Sequence, residues 1–219
     1  RISVQLAIQG YWPVQVSVDD FFVEREQTPK DKDGKLDFEA LEAIDLKLFN
    51  DTLLKLMDGQ EVELPTFDFQ QGKKLWLGKK VQMKENSILI IEGIHCLNPK
   101  LTEAIPDEVK YRIFVSALTS ISIDSQNPIP TTDNRLIRRI VRDHKYRGYS
   151  ALDTLRRWES VRNGEAKNIF PYQENADAMV NSALIYELGI LKPYAVPVLN
   201  EVPETEPEYA EARRLLKLL

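Results

Sequence analysis

The sequence predicts a three-layer α/β domain with a mainly parallel sheet. Strand-like and helix-like segments alternate along the chain, residues 87–91 form an almost purely aliphatic strand, and two strands end in carboxylates. The 219 residues are enough for one domain with additions or for two small domains, at about 150 residues per domain.

The composition excludes several classes of protein. The 29 Lys and Arg residues against 34 Asp and Glu residues give a net charge of −5, which argues against coating of nucleic acid by bulk charge but leaves local basic patches open. One cysteine and two histidines provide neither an internal disulfide nor a good zinc site. The longest aliphatic run, residues 88–91, is too short to cross a membrane. With no secretory signal pattern, these features indicate a cytoplasmic protein.

The first two predicted elements are followed by a pair of acidic residues. Residues 1–9 carry apolar side chains at every second position, which suits a buried strand or a helix. No start signal precedes them, so we expect an element that begins upstream, and Gly10 ends it. Residues 14–18 alternate as a strand. That strand delivers Asp19 and Asp20 at its carboxyl end.

The middle of the chain predicts a helix and two strands. Asp37 is expected to cap a helix that runs to about Met57. The aliphatic strand at 87–91 ends in Glu92, and residues 111–115 form another strand. Ligands of parallel sheets bind beyond the carboxyl ends of the strands. We therefore expect the acids that follow the two strands to share a site that holds a metal ion or accepts a proton.

The last part of the chain predicts one more strand and a peripheral tail. The pattern of residues 178–180 predicts this strand, and a helix is expected after it. Residues 196–207 contain three prolines and three acids, which favours a linker or surface strap before a short helix at 208–219. The expected division is a main domain at 1–192 and a strap with its helix at 193–219.

One helix carries arginines on a single face. At 100° per residue, four of them fall within an arc of about 100°: Arg135, Arg138, Arg139 and Arg142. Aliphatic side chains occupy the opposite side, Lys145 and Arg147 extend the basic patch, and Asp143 is the only acid from 135 to 147. Phosphate matches the forked donors of clustered guanidiniums. The alternative is a solvated face whose arginines pair with carboxylates from elsewhere.

Five segments form a pattern that covers most of the chain to about residue 190. They are residues 16–22, 38–45, 65–69, 88–94, and 133–143 with the Arg147-Gly148 pair. Each segment is weak alone, but their order and spacing together resemble the uridine kinase and phosphoribulokinase family of P-loop phosphotransferases. Residues 158–177 and 181–188 further resemble a subgroup of longer bacterial proteins, in which a threonyl-tRNA-synthetase-like region precedes the kinase domain.

The resemblance implies roles for two acids. Asp19 matches the family's acid after the second strand, which takes the proton from the acceptor hydroxyl and helps to hold magnesium-bound water. Glu92 matches the acid that orders the magnesium shell through water. Their structural alternatives are a turn cap for Asp19 and a satisfied strand-end acid for Glu92.

The resemblance also implies a helical lid and an acceptor pocket. Lid arginines close over ATP phosphates and stabilise the transferring group. On this basis Arg138 and Arg142 are expected to be catalytic, while Arg139 and Arg147 bind the nucleotide. The positions that match the acceptor pocket are Glu42, Phe67, Asp68 and Arg135. Other candidates have structural interpretations: Asp20 as a cap, Phe21 and Phe22 as core, His95 and Cys96 as packing, and His144 as surface.

The sequence departs from the family pattern in two places. No G-x-x-x-x-G-K-[ST] phosphate-binding loop occurs in the 219 residues, so we expect the upstream strand and loop to precede Arg1. Phe67 stands where nucleoside kinases of the family often carry tyrosine, and Gln71-Gly72 replaces a nearby histidine. The second departure weakens the assignment of uridine as the acceptor.

The leading hypothesis is a kinase that uses ATP and Mg²⁺ to phosphorylate a hydroxyl of a nucleoside such as uridine or cytidine. The expected partner is this small acceptor, with no membrane and no bulk binding of nucleic acid, and a homo-oligomer stays open. One alternative is a catalytically inactive module of the same fold that binds a nucleotide or RNA, which the missing loop favours. The other is a sugar-phosphate kinase resembling phosphoribulokinase.

Overall fold

Helices and strands alternate along the chain in the computed structural model, which describes residues 2–32, 34–119, 121–122 and 124–219. Arg1, at the start of the predicted opening element, lies outside the described residues. The strands are β1 (Trp12–Ser17), β2 (Val62–Glu63), β3 (Thr66–Asp68), β4 (Lys73–Leu75), β5 (Lys80–Val81), β6 (Ser87–Glu92), β7 (Ile113–Ser116) and β8 (Ala178–Asn181). The helices are α1 (Ile2–Ile8), α2 (Leu46–Met57), α3 (Thr131–Arg142), α4 (Ala151–Asn168), α5 (Glu187–Asn200) and α6 (Tyr209–Leu216).

The two longest strand pairs of the described residues are parallel. β1 pairs with β6, with Trp12 opposite Ser87 and Ser17 opposite Glu92. β7 pairs with β8 in the same sense, whereas β2 with β5 and β3 with β4 form short antiparallel pairs. The four strands predicted from apolar patterns are therefore confirmed, although β7 begins at Ile113, two residues later than expected. Among the described residues, no helix has the length and apolar character needed to cross a membrane.

The chain forms two compact units, and each has its own hydrophobic core. The first comprises Arg1–Arg112 with Gly164–Ala176, and the second comprises Ile113–Asn163 with Asp177–Leu219. The division into residues 1–192 and 193–219 stays a prediction.

The core of the first unit lies against one face of α2. Phe49, Leu53 and Leu56 are fully buried there, and the ring of Phe21 meets that of Phe49 edge-on with centroids 5.0 Å apart. Burying a side chain of this size contributes about 1.5–3 kcal/mol. The core thus fixes the segment that follows β1 against α2, as expected for Phe21.

The start of α2 was predicted wrongly. Asp45, not Asp37, caps the helix, and its carboxylate accepts a hydrogen bond of 3.0 Å from the backbone N–H of Leu48. Ile44 is extended and bridges Phe22, and this tertiary contact delays the helix by about two turns. The predicted end at Met57 is confirmed.

A late segment completes the first unit. The side-chain amide of Asn168 donates to the carbonyl of Glu39 at 2.6 Å, and that of Asn175 donates to the carbonyl of Leu97 at 3.1 Å. Gly164 also lies against Glu39, because a Cβ on this glycine would stand 2.7 Å from the Glu39 Cβ. These contacts attach the end of α4 to residues far earlier in the sequence.

The core of the second unit joins α3 to α5 and α6. Leu136, Ile137 and Ile140 of α3 are buried in the same cluster as Leu199 and Leu215. The strap predicted at 196–207 is helical as far as Asn200, with two prolines inside α5. An interior proline costs a helix about 3 kcal/mol, and the burial of aliphatic side chains along α5 offsets that cost.

Candidate active site

The parallel register of β1 and β6 brings two chain segments that carry acids together. Ser17, the last residue of β1, lies opposite Glu92, the last residue of β6. The Ser17 hydroxyl donates a hydrogen bond to Glu92 Oε1. Asp19 follows two residues later, in the 3₁₀ turn Val18–Phe21.

The charges of Asp19 and Glu92 both affect the thiol of Cys96. Burial first, and then the charges of Glu92 and Asp19, together raise the pKa of its thiol to about 12. Because an electrostatic effect of this kind falls off with distance, both carboxylates lie near Cys96. The register of β1 with β6 agrees with the predicted placement of the two strand ends, and the shared role of the two acids stays a prediction.

A glycine allows the close approach of these two segments. A Cβ on Gly93 would lie 2.7 Å from the Val18 Cβ and 2.9 Å from Val18 Cγ2. Such a separation is a steric overlap, so only glycine fits directly after Glu92 here. The sequence showed the Glu92-Gly93 pair but no sign of what the glycine contacts.

The residues predicted for the acceptor pocket occupy different environments. Glu42 is exposed, whereas Phe67 is buried among aromatic rings, 5.5 Å from Phe22 and 5.2 Å from Phe69 between centroids. The carboxylate of Asp68 accepts hydrogen bonds from two backbone N–H groups of the following turn, at 2.8 and 3.0 Å. In this structure Phe67 therefore packs and Asp68 forms a turn, and their roles toward an acceptor stay predictions.

Asp20 has a structural contact, but not the turn cap expected from the sequence. Its carboxylate accepts a hydrogen bond of 3.3 Å from the backbone N–H of Phe67. It therefore fastens the turn after β1 to β3. The neighbouring acids thus differ in their surroundings: Asp20 is hydrogen-bonded to β3, whereas the charge of Asp19 acts on Cys96.

His95 is a buried histidine close to the segment that carries Glu42. It is 2% exposed, and its Nδ1 has no hydrogen-bond partner in the part of the chain that the structure describes. Burial lowers the pKa of His95 below its usual value, while Glu42, hydrogen bonds to the backbone of Ala40 and Glu39, and Asp37 oppose that change. The packing role expected from the sequence agrees with this burial.

The lowered pKa of His95 predicts a pH-dependent stability. Between the usual value of 6.5 and the lower folded value, the unfolded chain binds more protons than the folded chain. The free energy of unfolding therefore falls as the pH drops below about 6.5, by at most about 1.4 kcal/mol per pH unit. Urea unfolding from pH 7.5 to 5 measures this slope.

His144 provides the matched control for the stability measurement, because it is the other histidine of the chain and is exposed. His95→Gln should flatten the slope below pH 6.5, whereas His144→Gln should leave it as in the parent. Equal slopes in the two variants would contradict the assignment to His95.

The basic helix has the predicted two faces. Leu136, Ile137 and Ile140 are buried on one side of α3. The arginines of the other side are half-buried or exposed: Arg135, Arg138, Arg139 and Arg142. A turn of π-helix, Asp143–Arg147, continues α3 and ends at Gly148 with a φ of +71°. The sequence predicted this end correctly.

Carboxylates contact most of these arginines. Asp143 accepts hydrogen bonds from Nε and Nη2 of Arg142 at 2.9 and 2.8 Å, and it pairs with Arg139 at 3.3 Å and with Arg147 at 3.8 Å. Arg138 forms a two-pronged pair with Glu187 through Nε and Nη2. Partners of this kind are what the structural alternative for the basic face predicted, and the roles of the arginines toward phosphate stay predictions.

The acids of the first unit fit a magnesium ion held mainly through water. Mg²⁺ in phosphate-transfer sites uses one or two carboxylates, keeps several waters and takes phosphate oxygens as further ligands. Asp19 and Glu92 provide two carboxylates. Among the residues that the structure describes, no group of three or more His, Cys, Asp or Glu side chains forms a complete protein cage. Two carboxylates alone suit an ion that keeps most of its water ligands.

Comparisons with known proteins identify the family of this chain. A family model described as "Phosphoribulokinase / Uridine kinase family" matches residues 7–186. The uridine kinase of Ligilactobacillus salivarius is 26% identical over 174 residues, which are 79% of this chain and 73% of that protein. A crystal structure from Silicibacter sp. TM1040, described as a "putative fructose transport system kinase", has a TM-score of 0.52 at 19% identity and covers 82% of this chain and 80% of that one.

Two other relatives are only partly spanned by the chain. The uridine kinase of Saccharomyces cerevisiae is 27% identical over 176 residues, which cover 78% of this chain but 31% of that protein. The uridine-cytidine kinase B of Dictyostelium discoideum is 24% identical, with 75% of this chain and 61% of that protein covered. The structural likeness confirms the predicted α/β fold of the P-loop kinases. Because the family model matches residues 7–186, which are most of this chain, the chain belongs to the phosphoribulokinase and uridine kinase family.

Proposed function

We propose that the protein transfers the γ-phosphoryl group of ATP to a hydroxyl of a nucleoside similar to uridine or cytidine. The observation that carries this proposal is the parallel register that sets Ser17 opposite Glu92 and bonds the two, with Asp19 in the turn directly after β1. The uridine kinases among the relatives support a nucleoside as acceptor. Such an enzyme works where ATP is available, which suits the cytoplasm.

In the proposed reaction, Asp19 accepts the proton of the acceptor hydroxyl while the hydroxyl oxygen attacks the γ-phosphorus. The new P–O bond forms as the bond to the bridging oxygen of the leaving ADP breaks, in line with the attack. Arg138 and Arg142 stabilise the negative charge of the transferring group, and Arg139 and Arg147 bind the remaining phosphates. Arg138 must first exchange its Glu187 partner for phosphate oxygens.

Asp19 and Glu92 would hold magnesium through its water shell. When bound, the ion supplies positive charge that offsets the charge of the β- and γ-phosphates. The protein itself fixes the positions of the two carboxylates through the Ser17 hydrogen bond and the close contact of Val18 with Gly93.

A panel of acceptors tests the proposal directly. The full gene product that contains this sequence is incubated with ATP and Mg²⁺ and with uridine, cytidine, a ketopentose phosphate or no acceptor, and the products are identified by mass spectrometry. Phosphorylated nucleoside is the expected product. Transfer to the ketopentose phosphate alone would replace the proposal with a sugar-phosphate kinase.

A binding module without catalysis is the second candidate, because the 219 residues contain no G-x-x-x-x-G-K-[ST] sequence and yet carry a basic helix. Isothermal titration distinguishes the two. Magnesium-dependent affinity for ATP favours the kinase. RNA affinity that falls steeply with salt, without any phosphoryl transfer, favours the module.

A further inference from the structure

One buried carboxylate is shared by three arginines in the second unit. The side chain of Asp143 is 5% exposed, while that of Arg142 is 46% exposed and those of Arg139 and Arg147 are 22% and 20% exposed. The three guanidiniums approach the same carboxylate from one residue before it, four residues before it and four residues after it. Asp143 therefore connects α3 to the turn that follows.

The charges of this cluster explain why Asp143 matters. Three guanidiniums so close together repel one another, and a single buried carboxylate offsets one of their three charges. A buried carboxylate is stable only when it is paired and hydrogen-bonded. By pairing with all three arginines, the Asp143 carboxylate fixes the spacing of the guanidiniums.

The backbone of Asp143 also stabilises the turn that follows α3. Its carbonyl accepts hydrogen bonds from the N–H of Gly148 and, at 3.2 Å, from that of Tyr149. The π-helical turn Asp143–Arg147 closes on this carbonyl. Single π turns are uncommon and are frequent at functional sites. Both the side chain and the backbone of Asp143 thus determine where Arg147 lies relative to α3.

We propose that Asp143 is a positioning residue that arranges Arg139, Arg142 and Arg147 for a triphosphate. The inference rests on the proposed function. It goes beyond that function by assigning the geometry of the lid to an acid that does not itself contact phosphate. Removal of the negative charge should leave ATP attracted to the lid but poorly aligned for transfer.

Asp143→Asn tests this proposal in the full gene product. Because misplacement of about 1 Å costs a reaction up to about 10²-fold, kcat should fall about 10- to 100-fold. The KM for ATP should stay unchanged or decrease, since the lid gains positive charge. Asp143→Glu restores the charge and should recover part of the lost kcat.

Asp133 offers a matched control. It lies in the first turn of the same helix, its side chain is 9% exposed, and its two oxygens pair with Arg214 at 2.6 and 2.8 Å. Asp133→Asn should lower the thermal midpoint about as much as Asp143→Asn but leave kcat within about twofold of the parent. If kcat of Asp143→Asn stays within twofold, or if Asp133→Asn loses as much, the proposal is overturned.

A second measurement separates this proposal from the proposed function. Asp143 should slow hydrogen exchange at the Nε–H groups of Arg139 and Arg142, which face its carboxylate, and NMR of the full protein detects this without any turnover. Loss of this protection in Asp143→Asn, but not in Asp133→Asn, supports the positioning role even if no acceptor is phosphorylated. Equal protection in the parent and in Asp143→Asn overturns it.

Discussion

Asp19→Asn should lower kcat of the full protein by about 10²–10⁴-fold, because a positioned general base contributes a factor of this size. The asparagine keeps the shape of the side chain but cannot take the proton of the acceptor hydroxyl. The KM for ATP should change little, since the phosphates are assigned to the lid. Steady-state kinetics with the best acceptor of the panel gives both constants.

The neighbouring acid is the control for Asp19. Asp20→Asn keeps an oxygen that accepts from the backbone N–H of Phe67, so kcat should stay within about twofold of the parent. A loss of equal size in both variants would show that the turn after β1 is sensitive to any change. If Asp19→Asn keeps kcat within a few-fold of the parent, Asp19 is not the base.

Gly93→Ala should lower kcat by about 10²-fold. The new methyl group would meet Val18 at 2.7 Å, so the segments that carry Asp19 and Glu92 must move apart. Displacements of about 1 Å cost this much in rate, and the strain of overpacking costs about 1–3 kcal/mol of stability. Kinetics and urea unfolding of the same preparation measure the two effects.

Gly189→Ala is the corresponding control. It lies in α5, and an added Cβ there has no atom within 4 Å. Replacement of a helical glycine by alanine gains up to about 1 kcal/mol, so both stability and kcat should be kept or improved. Activity and unfolding of Gly93→Ala equal to those of Gly189→Ala would show that the Val18 contact does not position the acids.

The sequence predicted the parallel strands well because their signal is local. Residues 14–18 alternate and residues 87–91 are aliphatic, and both patterns survive in β1 and β6. The prediction of the start of α2 was wrong because the signal that sets it is not local. Asp37 and Asp45 are both suitable caps, and the choice between them depends on the bridge from Ile44 to Phe22, which no local pattern shows.

The candidate site was predictable to a similar extent. Acids that follow parallel strands are expected at one edge of the sheet, and the register of β1 with β6 brings Ser17 and Glu92 to that edge. The partner of Arg138 was not predictable, because Glu187 lies 49 residues later in the sequence. The contact between Gly93 and Val18 likewise joins two segments that only the fold brings together.

The route of the chain constrains how the protein is made. The first unit includes Gly164–Ala176, and the side-chain amides of Asn168 and Asn175 in this segment donate to the carbonyls of Glu39 and Leu97. However, Ile113–Asn163 of the second unit is synthesised before this segment. The amino-terminal portion therefore waits, incompletely closed, until much of the other unit has been synthesised. Expression of residues 1–112 alone would leave that portion permanently in this unfinished state, with two carbonyls lacking their native donors.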